Sequence, residues 1–263
     1  VVPGMNAWFG TEFNRHNTWF EESKDWINYL RRCHLMLQQR VHVGDFAFFI
    51  GENTPIKTGA RQPQQPAGYD FDFVNAEVLL ERMDVRDGRW TLPNGKSYAV
   101  LVLPPLETMR PGLMRRLSEL VAAGGVLYGE APKRSPSLRN TPHADREIEE
   151  LARAMWQGMA PGTTGDRRFG NGRIFQGGGL QRVVDLLGIK PDVSGVDPAN
   201  LLWTHRQTAQ MDIYFISNQK QDAVELTPVF RCGGKRVPEV WYAESGKMER
   251  RGLWKTTDDG TQV

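Results

Sequence analysis

The chain of 263 residues lacks several features that define common functional classes. It has only two cysteines, Cys33 and Cys232, so there is no disulfide framework, and its five histidines form no zinc-type spacing with Cys, Asp or Glu. No apolar run approaches the ~18 residues that span a bilayer, and there is no internal repeat or low-complexity tract. The net charge is only +2, from 33 basic and 31 acidic residues, so we expect neither nucleic acid nor a membrane as a partner.

The most informative segment that is present spans residues 10–39. It opens with a polar and aromatic cluster, and Thr18 and Glu21 then have the three-residue spacing of a capping box, which predicts a helix start. The helix carries one apolar stripe, formed by Trp19, Trp26, Leu30, Cys33 and Leu37. Because such a stripe must pack against something, and only nine residues precede the loop, we expect its partner downstream or outside this chain.

Residues 41–193 alternate between strand and helix patterns. Strands are predicted at residues 45–50, 85–92, 98–103, 125–128 and 173–176, and helices at residues 73–83, 111–123, 145–156 and 180–187. Asp72 is the expected N-cap of the first of these helices, and Pro93-Asn94-Gly95 is a turn. The continuous apolar run at residues 98–103 is typical of a strand covered on both faces. The alternation predicts a doubly wound, mostly parallel sheet.

Residues 194–263 show sequence patterns of strands and none of helices. Their patterns predict strands at residues 202–206, 212–217, 223–230 and 239–243. The last residues, up to Val263, show no convincing final strand. We therefore expect a β-rich domain that is cut short.

Several segments, taken in order, resemble glycoside hydrolase family 106, the large α-L-rhamnosidases of bacteria. They are GTEFNRHNTWFEESKDWINYLRRCHLMLQQ, DFAFFIGENTP, GYDFDFVNAEVLLERM, LPNGKSYAVLVLPP, VAAGGVLYGEAPKRSPSL and WTHRQ followed by DIYFISNQ. The resemblance covers nearly the whole chain, and no single short motif carries it. In that family these segments follow most of a catalytic barrel.

The resemblance implies a fragment with three parts. Residues 1–40 would be the final loop and helix of the barrel, residues 41–193 a flavodoxin-like or class I amidotransferase-like accessory domain, and residues 194–263 the β-rich domain. It further implies a rhamnose-containing glycan as substrate, calcium in the intact enzyme without an assignable ligand here, and a bacterial periplasmic or secreted location. Oligomerisation through the α/β domain is a further expectation.

The loop at residues 10–19 is the main candidate site. If it follows the last strand of a barrel, it lies at the face where barrel enzymes build their sites. Planar hydrogen-bonding groups and an aromatic ring suit a sugar, and the loop supplies both in Asn14, Arg15, His16, Asn17 and Trp19. An alternative remains open, in which Asn17 and Thr18 only cap the helix and Trp19 anchors it.

Weaker candidates are Glu12, Glu52, Asp70 and His205. Paired carboxyl groups perform glycoside hydrolysis, but an ordinary loop explains Glu52 and a turn explains Asp70, and the catalytic pair is expected on barrel strands outside this chain. His205 is either a satisfied structural histidine or a site residue.

Two further chemistries are disfavoured. Neither cysteine follows a strand of the predicted sheet, so an amidotransferase-like nucleophile is not expected, and Cys33 is interpreted as a small buried hydrophobe. Gly177, Gly178 and Gly179 lack the spacing of a nucleotide-binding loop and predict a tight turn.

Two functional classes therefore stay open. One is a fragment of a glycoside hydrolase, inactive alone, and the other is a non-catalytic interaction or oligomerisation module.

Overall fold

A computed structural model describes residues 17–53, 61–197, 200–233 and 236–263. The first described region is a 3₁₀ turn at Glu21–Ser23, helix α1 at Lys24–Leu37 and strand β1 at Val41–His42. No residue of α1 is buried, and the Trp26 side chain is 54% exposed. The predicted stripe, including Cys33, is thus only partly covered by the described residues.

The α/β region follows the predicted alternation. Its strands are β2 Phe46–Phe49, β3 Phe71–Val74, β4 Asp84–Arg86, β5 Arg89–Thr91, β6 Ser97–Tyr98, β7 Val100–Val102, β8 Val126–Tyr128, β9 Gly165–Phe169 and β10 Gly172–Gln176. Its helices are α2 Ala76–Glu81, α3 Pro111–Ala122, α4 His143–Met155 and α5 Gly179–Leu187.

Six of these strands form one sheet in the order β3-β2-β7-β8-β10-β9. All neighbours are parallel except β9, which pairs antiparallel with β10 at the edge. Strand β7 lies inside the sheet, and Val100 and Val102 are fully buried, which confirms a central strand for this part of residues 98–103. Ser97 and Tyr98 form the separate strand β6, which pairs antiparallel with β5 in a second sheet.

Helices cover both faces of the sheet. Successive residues of β2 alternate between the two cores, with Ala47 and Phe49 facing one and Phe46 and Phe48 facing the other. The first core is closed by α2, α3 and α4, and the second by α5. Trp90 is fully buried in the first core, where its indole N–H donates to the carbonyl of Val126 at 2.8 Å.

The predicted helix at residues 73–83 is wrong at its start. Strand β3 continues to Val74, and α2 begins only after Asn75, whose side chain accepts the N–H of Val78 at 2.9 Å. Asp72 is not the N-cap but lies within the strand and accepts a hydrogen bond from Tyr98. Both residues are good N-caps by type, and the parallel pairing of β3 with β2 decides between them.

Two strand predictions also required correction. Residues 85–92 are a hairpin of β4 and β5 with Asp87 and Gly88 at positive φ in the turn, not one strand. Strand β9 was not predicted, because its sequence GDRRF has no apolar alternation and it occupies a polar sheet edge. The tight turn predicted at Gly177, Gly178 and Gly179 is confirmed, since all three have positive φ.

The β-rich region contains the remaining strands, β11 Val193–Ser194, β12 Leu201–Gln207, β13 Asp212–Asn218, β14 Val229–Phe230, β15 Glu239–Trp241, β16 Met248–Arg250, β17 Lys255–Thr257 and β18 Gly260–Gln262. β12 pairs with β1 and β13, whereas β14 pairs with β11 and β18. The expectation of no final strand is wrong. β17 and β18 form a hairpin around Asp258 and Asp259, an acidic turn that the sequence reading missed.

In the described part of the chain, no helix is long and apolar enough to cross a membrane.

Candidate functional site

The main predicted site lies largely outside the described residues. Glu12, Asn14, Arg15 and His16 precede residue 17, where the description begins. The structure therefore leaves their proposed role in sugar binding as a prediction.

The end of the loop, from Asn17 to Phe20, is a tight turn. The Asn17 side-chain oxygen accepts the N–H of Trp19 at 3.4 Å, and its carbonyl accepts the N–H of Phe20 at 3.1 Å. Asn17 thus supports the turn itself, and Trp19 is 44% exposed. The predicted capping box is not formed, because a 3₁₀ turn intervenes and α1 begins only at Lys24.

Helix α1 is held by the β-rich region. One Nη of Arg32 donates to the carbonyls of Ala243 and Glu244, at 2.8 and 2.9 Å. Arg206 donates from Nε to the carbonyl of Gln39 at 3.0 Å. The β-rich region therefore holds the helix that follows the candidate loop in sequence.

Glu52 lies at the carboxyl end of the parallel sheet, where open α/β sheets place ligands. Its carboxylate accepts the backbone N–H of Arg110 at 2.9 Å and also pairs with the Arg110 guanidinium. Arg110 is the N-cap of α3, so Glu52 also faces the positive end of that helix. Glu52 anchors α3, and a groove lined by Glu52, Asn53, Glu77 and Arg110 opens beside it.

Asp70 lies elsewhere, at the amino end of β3. Its carboxylate is 2.7 Å from Nε2 of His42, and the other ring nitrogen lies 2.9 Å from Lys96 Nζ and 3.5 Å from Asp72. Burial lowers the pKa of His42, but the hydrogen bonds to Asp70 and Asp72 outweigh it and raise the pKa to about 9. Above that pH, the neutral ring can instead accept a hydrogen bond from Lys96.

We expect Asp70→Asn to lower the pKa of His42 from about 9 toward its ordinary ~6.5, because the closer carboxylate is lost. Because the pKa of His42 is higher in the folded state, protonation of His42 stabilises the folded protein. This stabilisation is fully present below pH ~6.5 and disappears as the pH rises through about 9. The variant should therefore lose less stability than the wild type across that window. NMR titration of the histidine rings and urea unfolding at both ends of the window measure the two effects.

Asp84→Asn is the matched control, since the Asp84–Arg86 pair is exposed. An unchanged titration of His42 in Asp70→Asn would show that Asp70 does not set its pKa.

His205 is buried between two carboxylates. Nδ1 lies 2.9 Å from Asp192, Nε2 lies 3.2 Å from Asp212, and the ring stacks on Tyr214 with centroids 4.0 Å apart. A neutral imidazole has one N–H, whereas a protonated ring can donate to both neighbouring carboxyl groups. Burial lowers the pKa of His205, but the hydrogen bonds to both carboxylates raise it overall.

The same cluster joins the two large regions of the chain. Arg231, next to β14, donates to Asp45 at the start of β2 at 2.9 Å and lies 3.3 Å from Asp192. Arg236 lies 3.4 Å from the second oxygen of Asp212. Because the side chains of Asp45, Asp192 and Asp212 are almost fully buried, they cannot contact a glycan, and the structure supports the structural interpretation of His205.

The sequence reading missed Arg110, His42, Asp192 and Arg231. Each is an isolated polar residue at the end of an element, and no local pattern marks its partner. Within the described ranges, no group of three or more His, Cys, Asp or Glu residues could hold a metal ion. The calcium that the resemblance implies for the intact enzyme stays a prediction, with no ligand assigned in this chain.

A family model and a solved structure both match this chain as a rhamnosidase. A family model described as alpha-L-rhamnosidase, glycoside hydrolase family 106, matches residues 1–254. The solved structure of a rhamnosidase from Novosphingobium sp. PP1Y superposes with a TM-score of 0.83 and 28% identity, over 97% of this chain and 24% of that one.

A curated protein of Formosa agariphila, named "Putative beta-glucuronidase", is 32% identical over 99% of this chain. The chain spans 21% of that relative's length, so it corresponds to about a fifth to a quarter of the proteins it matches. Because the family model covers nearly all of its residues, the chain belongs to glycoside hydrolase family 106.

Proposed function

We propose that this chain is part of an α-L-rhamnosidase acting on rhamnose-containing glycans, and that it supplies accessory domains and one wall of the sugar site. The match of the family model to residues 1–254 carries the proposal. The superposition on a solved rhamnosidase supports it, since that likeness extends over 97% of the chain.

The proposed organisation follows the same likeness. The loop and α1 would end a catalytic barrel, and the α/β region would be a flavodoxin-like accessory domain. The order of its five parallel strands supports the second assignment. When these strands are numbered 1 to 5 by their position in the sequence, their order across the sheet is 2-1-3-4-5, which is the flavodoxin-like order.

A second candidate, β-glucuronidase activity, is favoured by the name of the curated relative. The two substrates differ in charge, since glucuronate carries a carboxylate and rhamnose carries a methyl group at the corresponding carbon. Assays of the longer protein with an aryl α-L-rhamnoside and an aryl β-D-glucuronide separate the candidates. A higher kcat/KM for the rhamnoside is expected, and a higher value for the glucuronide would overturn the rhamnosidase proposal.

The loop can be tested in the longer protein by Arg15→Ala and His16→Ala. Losing a neutral hydrogen bond costs about 0.5–1.5 kcal/mol, and losing one to a charged group up to ~3 kcal/mol. We therefore expect kcat/KM to fall several-fold to about a hundredfold, with little change in Tm. Asn17→Ala is less informative, because Asn17 also supports the turn before α1.

Arg31→Ala is the control, since Arg31 is exposed on α1, outside the loop. If both loop variants keep the wild-type kcat/KM, or lose it only through instability, the loop is scaffolding and does not bind sugar.

A further inference from the structure

A groove of about 460 Å³ opens at the carboxyl end of the parallel sheet. It lies between the segments that follow β2 and β3 and the start of α3. It is lined by Ile50, Glu52, Asn53, Asn75, Glu77 and Arg110, among others. Strand β3 lies on one side of β2 and strand β7 on the other, so the chain changes its direction across the sheet at this point. Open α/β sheets bind ligands at such a switch point.

An ion pair forms one side of the groove. Glu52 is held by both the backbone N–H and the guanidinium of Arg110, and its side chain is only 9% exposed. This pair fixes the Arg110 guanidinium at the groove without using its two Nη groups, which make no hydrogen bond within the described residues. The groove therefore presents hydrogen-bond donors on a side chain whose Nε is held by Glu52.

The opposite side offers further polar groups. Glu77 and Asn53 are exposed, and neither side chain has a hydrogen-bond partner in the described part of the chain. Asn75 uses its side-chain oxygen to cap α2, and its NH₂ group makes no hydrogen bond to another described residue. Ile50 and Pro136 add apolar surface between these groups.

We propose that this groove is a second carbohydrate-binding site, which takes one neutral sugar residue of the glycan. Glu77 and Asn53 accept hydroxyl protons, the Arg110 Nη groups and Asn75 donate to hydroxyl oxygens, and Ile50 and Pro136 pack against the apolar face of the ring. The proposal rests on the proposed function for its ligand class.

The charge of the groove favours a neutral ligand over an anion. Glu52 and Arg110 form a pair, whereas Glu77 has no ion pair with any residue that the structure describes. A uronic acid or phosphate would gain from Arg110 but would face both carboxylates. A neutral polyol can use the same acceptors and donors without repulsion.

The test is an NMR chemical-shift titration of the 263-residue chain with L-rhamnose, D-glucuronate and inorganic phosphate in separate arms. Saturable shifts at the backbone amides of residues 50–53, 75–77 and 110 are expected with rhamnose and not with phosphate. Glu77→Gln should weaken rhamnose binding about three- to tenfold, because a charge-assisted hydrogen bond becomes a neutral one.

Glu81→Gln is the matched control, since Glu81 is exposed on the same helix but does not line the groove. The proposal is overturned if rhamnose causes no saturable shift in the groove, if phosphate or glucuronate binds more tightly, or if Glu81→Gln weakens binding equally. Because this readout is binding by a chain tested without the barrel, it is independent of hydrolysis by the longer protein. Either proposal can fail while the other holds.

Discussion

The 263-residue chain alone is expected to hydrolyse an aryl α-L-rhamnoside no faster than buffer does, whereas the longer protein should reach the ~10 s⁻¹ typical of enzymes. Most glycoside hydrolases need two carboxyl groups ~5–10 Å apart around the scissile bond. The chain corresponds to about a quarter of the matched rhamnosidase. Its deeply buried carboxylates cannot reach a sugar, and Glu52 is committed to Arg110.

Release of the phenol from both proteins, followed by absorbance, measures the difference. A cooperative thermal transition of the short chain must accompany the assay, so that inactivity is not confused with unfolding. Turnover by the short chain near the rate of the longer protein would place the acid and base within these residues and refute the proposed division of roles.

Arg231→Met is expected to lower the free energy of unfolding by about 3–5 kcal/mol, the usual cost of leaving buried charges unpaired. Arg231 is the cation that Asp45 and Asp192 share, and the two side chains are 2% and 1% exposed. It also donates to the carbonyl of Lys190 at 2.6 Å. The loss should therefore loosen the contact between the α/β sheet and the β-rich region as well as reduce stability.

Urea unfolding measures the first effect, and hydrogen exchange of the β2 and β14 amides measures the second. Asp259→Asn, which breaks the exposed Lys190–Asp259 pair, is the control and should unfold at the wild-type urea concentration. A wild-type midpoint in Arg231→Met would mean that the buried carboxylates do not depend on this cation.

His205 should make the free energy of unfolding depend on pH, because it lies in the cluster that joins the α/β sheet to the β-rich region. Its pKa is raised in the folded state, so protonation stabilises the protein fully below the unfolded value of ~6.5, and this stability disappears as the pH rises through the folded pKa. His205→Gln should remove this part of the pH dependence and lower stability at pH 6. The same dependence of the free energy of unfolding on pH in His205→Gln and in the wild type would contradict a protonated His205.

Local sequence signals determined most of the sheet and its helices. Pro111 begins α3 and Gly188 ends α5 in the left-handed conformation, as their conformational preferences require. The apolar run ending at Leu103 had to be covered on both faces, and it is, because each of its side chains would otherwise meet water. The family resemblance was likewise present in the sequence, spread over many segments.

Other features were decided only by the tertiary structure. Asp72 and Asn75 are equally suited to cap a helix, and pairing of β3 with β2 selected Asn75. The polar strand β9 exists because β10 offers it an edge. Glu52 and Arg110, which meet at the candidate groove, are 58 positions apart in the sequence. Asp45 and Arg231, which join the α/β sheet to the β-rich region, are 186 positions apart. Periodicity and capping act over a few neighbouring residues, so they determine elements, whereas charge pairs between elements form only when the chain has folded.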